Sequence, residues 1–130
     1  MERMKRKGKI VPNGVILEKH EMATVVFLTE LGIDVELIPR SMVAGVRTAD
    51  IRITGREWEM KAPRGEGNAL MKNTLQKAAR QSELVIVDLR RTKRHTNRCL
   101  AELRREFIAS KRLRQLKIIT KQGRVIDFMK

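Results

Sequence analysis

Aromatic side chains are scarce, with three phenylalanines, one tryptophan and no tyrosine in 130 residues. Proteins that stack bases on a sheet need several exposed rings, so the composition argues against an RRM or OB-type platform. Recognition of nucleic acid should run through phosphates and shape. Cysteine is rarer still. Cys99 stands alone, which excludes an internal disulfide, and with only His20 and His95 beside it no Cys/His zinc cluster can be assembled. Cys99 falls in the apolar set of a helical pattern and reads as core rather than nucleophile. No apolar run approaches a membrane span. The basic opening MERMKRKGK is not followed by an unbroken apolar segment with a cleavage site, so no Sec signal is expected in this chain. Acid is also in deficit: 15 Asp and Glu against 29 Lys and Arg leave a net charge of +14. Such an excess suits a partner that is a polyanion, nucleic acid first.

What is present fits one compact α/β (α+β) domain, since 42% hydrophobic residues in a chain of this length can bury a core without staples. Residues 1–14 read as a basic arm and 15–130 as the domain. Ile16, Leu17, Met22, Ala23, Phe27, Leu28 and Leu31 recur at helical spacing until Gly32. Ile33, Val35 and Leu37 then alternate with acids as a strand does. After the loop RSMVAGVRT come two strands around Thr54-Gly55. A glycine-rich loop, PRGEGN, lacks phosphate-loop spacing and leads to a helix on Met71, Leu75, Ala78 and Ser82. The run Leu84 to Val87 predicts a strand buried on both faces. A helix carrying Cys99, Leu100, Leu103 and Phe107 and a closing hairpin, LKII then RVIDF, complete the pattern.

The stretch TADIRITGREWEMKAP, Thr48 to Pro63, carries the chemistry. A two-residue loop at Thr54-Gly55 sets Ile53 against Arg56, Arg52 against Glu57, Ile51 against Trp58 and Asp50 against Glu59. Ile51, Ile53, Trp58 and Met60 share a core face. Asp50, Arg52, Glu57, Glu59 and Lys61 share the other, where Arg52 complements Glu57 but Asp50 opposes Glu59. Two carboxylates about 5 Å apart in a dielectric of about 20 repel by roughly 3 kcal/mol. A divalent cation would compensate, because magnesium takes one or two carboxylates and fills its shell with water and phosphate. A shared proton or the Lys61 ammonium are the alternatives. With magnesium or manganese held by Asp50 and Glu59, a bound water could attack phosphorus while Lys61 neutralises the developing charge.

Asp50 followed by Glu59-Met60-Lys61 resembles the D-Xn-(D/E)-X-K signature of the PD-(D/E)XK nuclease superfamily, with Ala49 in place of the usual proline. The order helix, three strands, helix, strand over residues 16–88 is similar to that group's αβββαβ core. The resemblance implies two helpers, Glu21 on the first helix and Gln81 near the end of the second. A narrower resemblance spans nearly the whole chain. TADIRITGREWEMKAP, LQKAARQSELVIVDLRR and LKIITKQGRVIDF resemble the C-terminal toxin domains of CdiA-type contact-dependent growth inhibition proteins and their phage-borne relatives. That resemblance implies a bacterial toxin cleaving RNA, with tRNA favoured over DNA. It also implies action in the cytoplasm, that of a target cell if the toxin is delivered, and neutralisation by an immunity protein. From the +14 charge the immunity protein should be acidic. No small-molecule cofactor is expected.

Some such toxins have a barnase-like fold and cut RNA without metal, which here would use Lys61, His95 and Thr96. A non-catalytic nucleic-acid-binding or phage accessory protein is the remaining alternative. Residues 90–114 hold ten basic and two acidic side chains. Within them Arg90, Arg91, Lys93, Arg94 and Arg98 read as a phosphate track.

Overall fold

The computed structural model describes residues 6–130. In chain order the elements are β1 (Ile10–Val11), α1 (Lys19–Glu30), β2 (Val35–Leu37), β3 (Ile51–Ile53), β4 (Arg56–Lys61), α2 (Leu70–Ala79), β5 (Leu84–Asp88), α3 (Thr96–Ala109), β6 (Gln115–Ile119) and β7 (Val125–Met129). The seven strands lie side by side in sequence order. Wherever a helix intervenes the neighbours are parallel, as β1 with β2, β4 with β5 and β5 with β6. The direct connections give antiparallel pairs. The result is a mixed α+β sheet layered by helices. The expected order helix, three strands, helix, strand is α1, β2, β3, β4, α2, β5.

Alternation along the strands sorts two cores. Val25 and Leu28 of α1 pack on one face with Val35, Leu37, Ile51, Trp58, Met60 and Ile86. On the other, Met71, Leu75 and Ala78 of α2 and Cys99, Leu103 and Phe107 of α3 cover Val85, Val87, Leu116 and Ile118. Strand β5 contributes to both and is buried at all five residues, as its unbroken apolar run predicts. Burial also pushes the Cys99 thiol above its usual pKa, which suits a core residue.

Several details differ from the sequence reading. Helix α1 begins at Lys19, and Ile16 is 96% exposed ahead of it. Helix α2 ends at Ala79, so Ser82 is not helical. Its hydroxyl donates to the Glu57 carbonyl instead (2.8 Å). The basic arm is partly docked. The Gly8 N–H donates to the Thr29 carbonyl, the Lys9 N–H to Asp34 Oδ1, and the Val35 N–H to the Lys9 carbonyl. Ile10–Val11 then pair with Val35 and Glu36. Gly8 is required by close approach, because a Cβ there would lie 1.9 Å from the Ile33 carbonyl oxygen. Residues 1–5 of the arm lie outside the described residues.

Candidate active site

The β3–β4 hairpin has the register that Thr54-Gly55 dictates: Ile53 opposite Arg56, Arg52 opposite Glu57, Ile51 opposite Trp58. Thr54 and Gly55 both have positive φ (50° and 78°), the backbone of a type I′ turn. Beyond Ile51 the regular ladder stops. The Asp50 N–H donates to the Trp58 carbonyl (3.1 Å), and Asp50 Oδ2 accepts from the Met60 N–H (2.8 Å). The Asp50 carboxylate is thereby folded back over β4 instead of standing squarely across from Glu59. The two acids remain neighbours. Arg52 pairs with Glu36 of β2 (3.2 Å), a strand that reasoning on the hairpin alone had left out, and not with Glu57.

Glu59 departs most from expectation. A polar hairpin face should be wet, yet Glu59 is 5% exposed. Its strand lies between β3 and β5, with Glu59 opposite Val85, and α2 packs over it. One carboxylate oxygen, Oε2, lies 3.3 Å from Lys61 Nζ, and the other, Oε1, is buried with no hydrogen-bond partner. Burial, reinforced by the negative charge of the neighbouring Asp50, pushes the Glu59 pKa up to about 8 against the pull of Lys61. The Asp50–Glu59 pair is thereby biased toward keeping a proton when no cation is present. Gln81, two residues past the end of α2, also has a buried and unpartnered side-chain oxygen.

All five residues named from the sequence as catalytic, Asp50, Glu59, Lys61, Glu21 and Gln81, line one cavity of about 980 Å³ between the start of α1, the loop leading into β3, and α2. Glu21 Oε1 accepts the Glu18 N–H (3.0 Å), half of a capping box. Glu18, His20 and Glu21 bring possible ligand atoms within 4.8 Å of one another at the mouth of this cavity. The positive end of α1 is sufficient reason for two acids there. Sequence reasoning missed four further lining residues, His20, Arg40, Arg47 and Lys77. They come from a helix start, a loop and a helix flank, which no local pattern connects.

The donor set at Asp50 and Glu59 suits a hard divalent cation. It offers two neighbouring carboxylates, one with an orphaned buried oxygen, and the unpartnered amide oxygen of Gln81 close by in the same cavity. No sulfur or imidazole of the kind a softer metal prefers is part of that set.

The alternative catalytic pair does not share this cavity. His95 precedes α3 as its exposed N-cap residue and Thr96 begins the helix, and neither lines the space that contains Lys61. The basic run is also split. Arg94 is 6% exposed, donating to Glu102 and to the Gly67 carbonyl, so it cannot act as a surface phosphate contact. Arg90 clamps Asp88 through Nε and a terminal nitrogen (2.8–3.2 Å), reaches the Ala23 carbonyl and stacks on Phe27 at 4.7 Å. Of the expected track, Lys93 and Arg98 are exposed and Arg91 is half-buried.

The model of the contact-dependent growth inhibition CdiA C-terminal domain family matches residues 47–125, from the loop before the hairpin to the last strand. The chain belongs to that family. It is a CdiA C-terminal toxin domain of contact-dependent growth inhibition. Among solved structures, a chain of a CdiA-CT/CdiI toxin and immunity complex from Burkholderia pseudomallei has the same fold as this CdiA C-terminal domain, with a TM-score of 0.68. The likeness covers 95% of this chain and 100% of that one at 17% identity. Comparison with curated proteins finds no match. No helix among the described residues of the domain is long and apolar enough to cross a membrane.

Proposed function

We propose that this CdiA C-terminal domain is a metal-dependent endonuclease that hydrolyses phosphodiester bonds in RNA, with tRNA as its substrate class. It acts in the cytoplasm of a target bacterium and is held inactive by an acidic immunity protein. The observation that carries the reading is the buried, partnerless oxygen of Glu59, beside Asp50 and Lys61 in a cavity that also receives Glu21 and Gln81. Leaving a buried polar oxygen without a partner costs stability, and two of them, on Glu59 and Gln81, fall in this one cavity. The immunity partner is supported by the toxin and immunity complex of similar fold and by the net charge of +14.

Asp50 and Glu59 would hold magnesium or manganese, with Gln81 beside them. Bound there, such an ion would polarise a phosphoryl oxygen and acidify a coordinated water. The rest of the work falls to the chain. Ionisation of Glu59 is opposed by its burial and by Asp50, and Lys61, already 3.3 Å away, offsets the charge that appears. The same ammonium is placed to face negative charge as it builds on the phosphate oxygens, where a preset cation acts without reorganisation. The nearby packing of α2 on β4 restricts water around Glu59 and strengthens each of these interactions.

The deciding experiment incubates total tRNA and plasmid DNA with the purified domain in magnesium and in EDTA, beside Glu59→Gln and His95→Ala. Cleavage of tRNA that requires both magnesium and Glu59 is expected. Cleavage that survives EDTA and Glu59→Gln but fails in His95→Ala would replace this reading with a metal-independent one. If fresh protein cuts neither nucleic acid, a binding role remains.

A further inference from the structure

Two arginines and a lysine in the same cavity have no role in the scheme above. Arg40 and Arg47 sit at either end of the loop between β2 and β3, and Lys77 lies on the flank of α2. All three are exposed, and all three line the cavity that contains Glu59. Among the described residues none is within ion-pair distance of a carboxylate, whereas Arg52, Arg90, Arg94 and Lys117 all are. The loop between the arginines is also unusually apolar for a surface. Met42 is 99% exposed, Val43 and Val46 are more than half exposed, and Ile16, ahead of α1, is 96% exposed. Ile16 and Val46 are themselves lining residues.

We infer that this rim, and not the basic run at 90–98, is where the substrate strand is held, with Arg40, Arg47 and Lys77 on the phosphates flanking the scissile one and Ile16 and Val46 against exposed base faces. The inference rests on the nuclease reading and names the form of its substrate as an unpaired strand of RNA. Two features select an unpaired strand. The carboxylates lie inside the cavity, with Glu59 almost wholly covered, so the phosphodiester must bend inward, which a single strand does more readily than a duplex. Aliphatic side chains on the rim have no partner in a duplex, whose base faces are stacked on one another, but the apolar faces of unpaired bases are free to bury surface against them. The run at 90–98 offers fewer free cations than its sequence suggests, because Arg90 and Arg94 are already engaged.

The test measures binding of a short fluorescent single-stranded RNA, the DNA strand of the same sequence and the RNA duplex, over a salt series. The protein is the full domain carrying Glu59→Gln, so that nothing is cut. Each phosphate contact on a single strand contributes about 0.7 to the slope of log K against log salt. Replacing Arg40, Arg47 and Lys77 together by alanine should therefore lower the slope by about 2 and weaken binding at least tenfold at low salt. Lysine at 40 and 47 should keep the slope, and alanine at Lys93 and Arg98 should leave it nearly unchanged. The RNA and DNA arms tell the two sugars apart, and the duplex should bind more weakly than either strand. An unchanged slope in the rim triple variant, its thermal midpoint being that of its parent, would overturn the inference, as would a duplex bound as tightly as the strand. If the parent protein binds no nucleic acid, the nuclease reading itself fails.

Discussion

Glu59 and Asp88 are both buried carboxylates, on adjacent parallel strands, and their surroundings treat them in opposite ways. Asp88 ends β5 on the α1 face. It accepts from the Thr24 hydroxyl (2.7 Å), the Arg90 N–H (3.0 Å) and the Arg90 guanidinium. Burial opposes its ionisation, but those hydrogen bonds together outweigh it and hold its pKa below the usual value. Glu59, on the other face, has a like charge beside it and one oxygen with nothing to accept from, and its pKa is pushed up to about 8. Asp88 is fully satisfied within the chain, whereas Glu59 is left one partner short.

The sharpest way to break this comparison is by activity. Glu59→Gln should reduce tRNA cleavage at saturating magnesium by two to three orders of magnitude, roughly the effect of losing one charge-stabilising group in a water-excluded site. Asp88→Asn should leave the folded fraction active. Initial rates normalised to the folded protein check both.

The second contrast is in stability against pH. Glu59 has its pKa raised on folding, so the folded state keeps a proton that the unfolded chain gives up, and stability falls as pH rises from 4.5 through about 8. Full ionisation of a carboxyl moved that far costs on the order of 5 kcal/mol, taken as a ceiling. Glu59→Gln should therefore be more stable than the parent at pH 9 and similar at pH 5. Magnesium should raise the parent's melting temperature at pH 8.5 more than at pH 6, because the proton then competes less, and should leave the variant unmoved. Thermal melts across pH, with and without the metal, test this.

Removing Asp88 has the opposite pH signature. Asp88→Ala removes the acceptor of the partly solvated Arg90 guanidinium and of the Thr24 hydroxyl, and should cost about 1.5–3 kcal/mol at pH 7 in urea unfolding, as losing hydrogen bonds to a charged group does. The depressed pKa places that contribution above the ordinary carboxyl value of 3.8, and it is lost as pH falls through the folded value. The difference between parent and variant should shrink accordingly in acid. The smallest effect is expected from Thr24→Val, which removes one donor to Asp88 and should cost about 1 kcal/mol. Thr24 lines the cavity as well, so if magnesium still stabilises this variant as it does the parent, its role is confined to the Asp88 side.

How much of this was legible depends on whether the cause is local. The hairpin register followed from two turn residues, and the proximity of Asp50, Glu59 and Lys61 followed from the register. The two-sided burial of β5 could be read because no polar residue interrupts Leu84 to Val87. The burial of Glu59 could not be read from the hairpin, since it is imposed by α2 and β5 from elsewhere in the chain. Arg94 looked like one more member of a basic run, and only the fold brings it to Glu102 and the Gly67 carbonyl. Strand β1 has two residues, too few for any alternation to register, and its place beside β2 depends on the tight crossing at Gly8. The cations of the cavity rim were invisible for the same reason, being gathered from separate elements.

The turn at Thr54 has a consequence for how such a domain can change over time. Thr54 is a β-branched residue at φ 50°, a backbone that asparagine or glycine adopts at lower cost. A conformation of this kind costs about 1 kcal/mol or more, and it sits at the far end of the hairpin from Asp50 and Lys61 and does not line the cavity. The chain therefore carries a reserve of stability that one substitution at position 54 could release. Destabilising changes around the cavity could draw on that reserve without altering the placement of Asp50, Glu59 and Lys61.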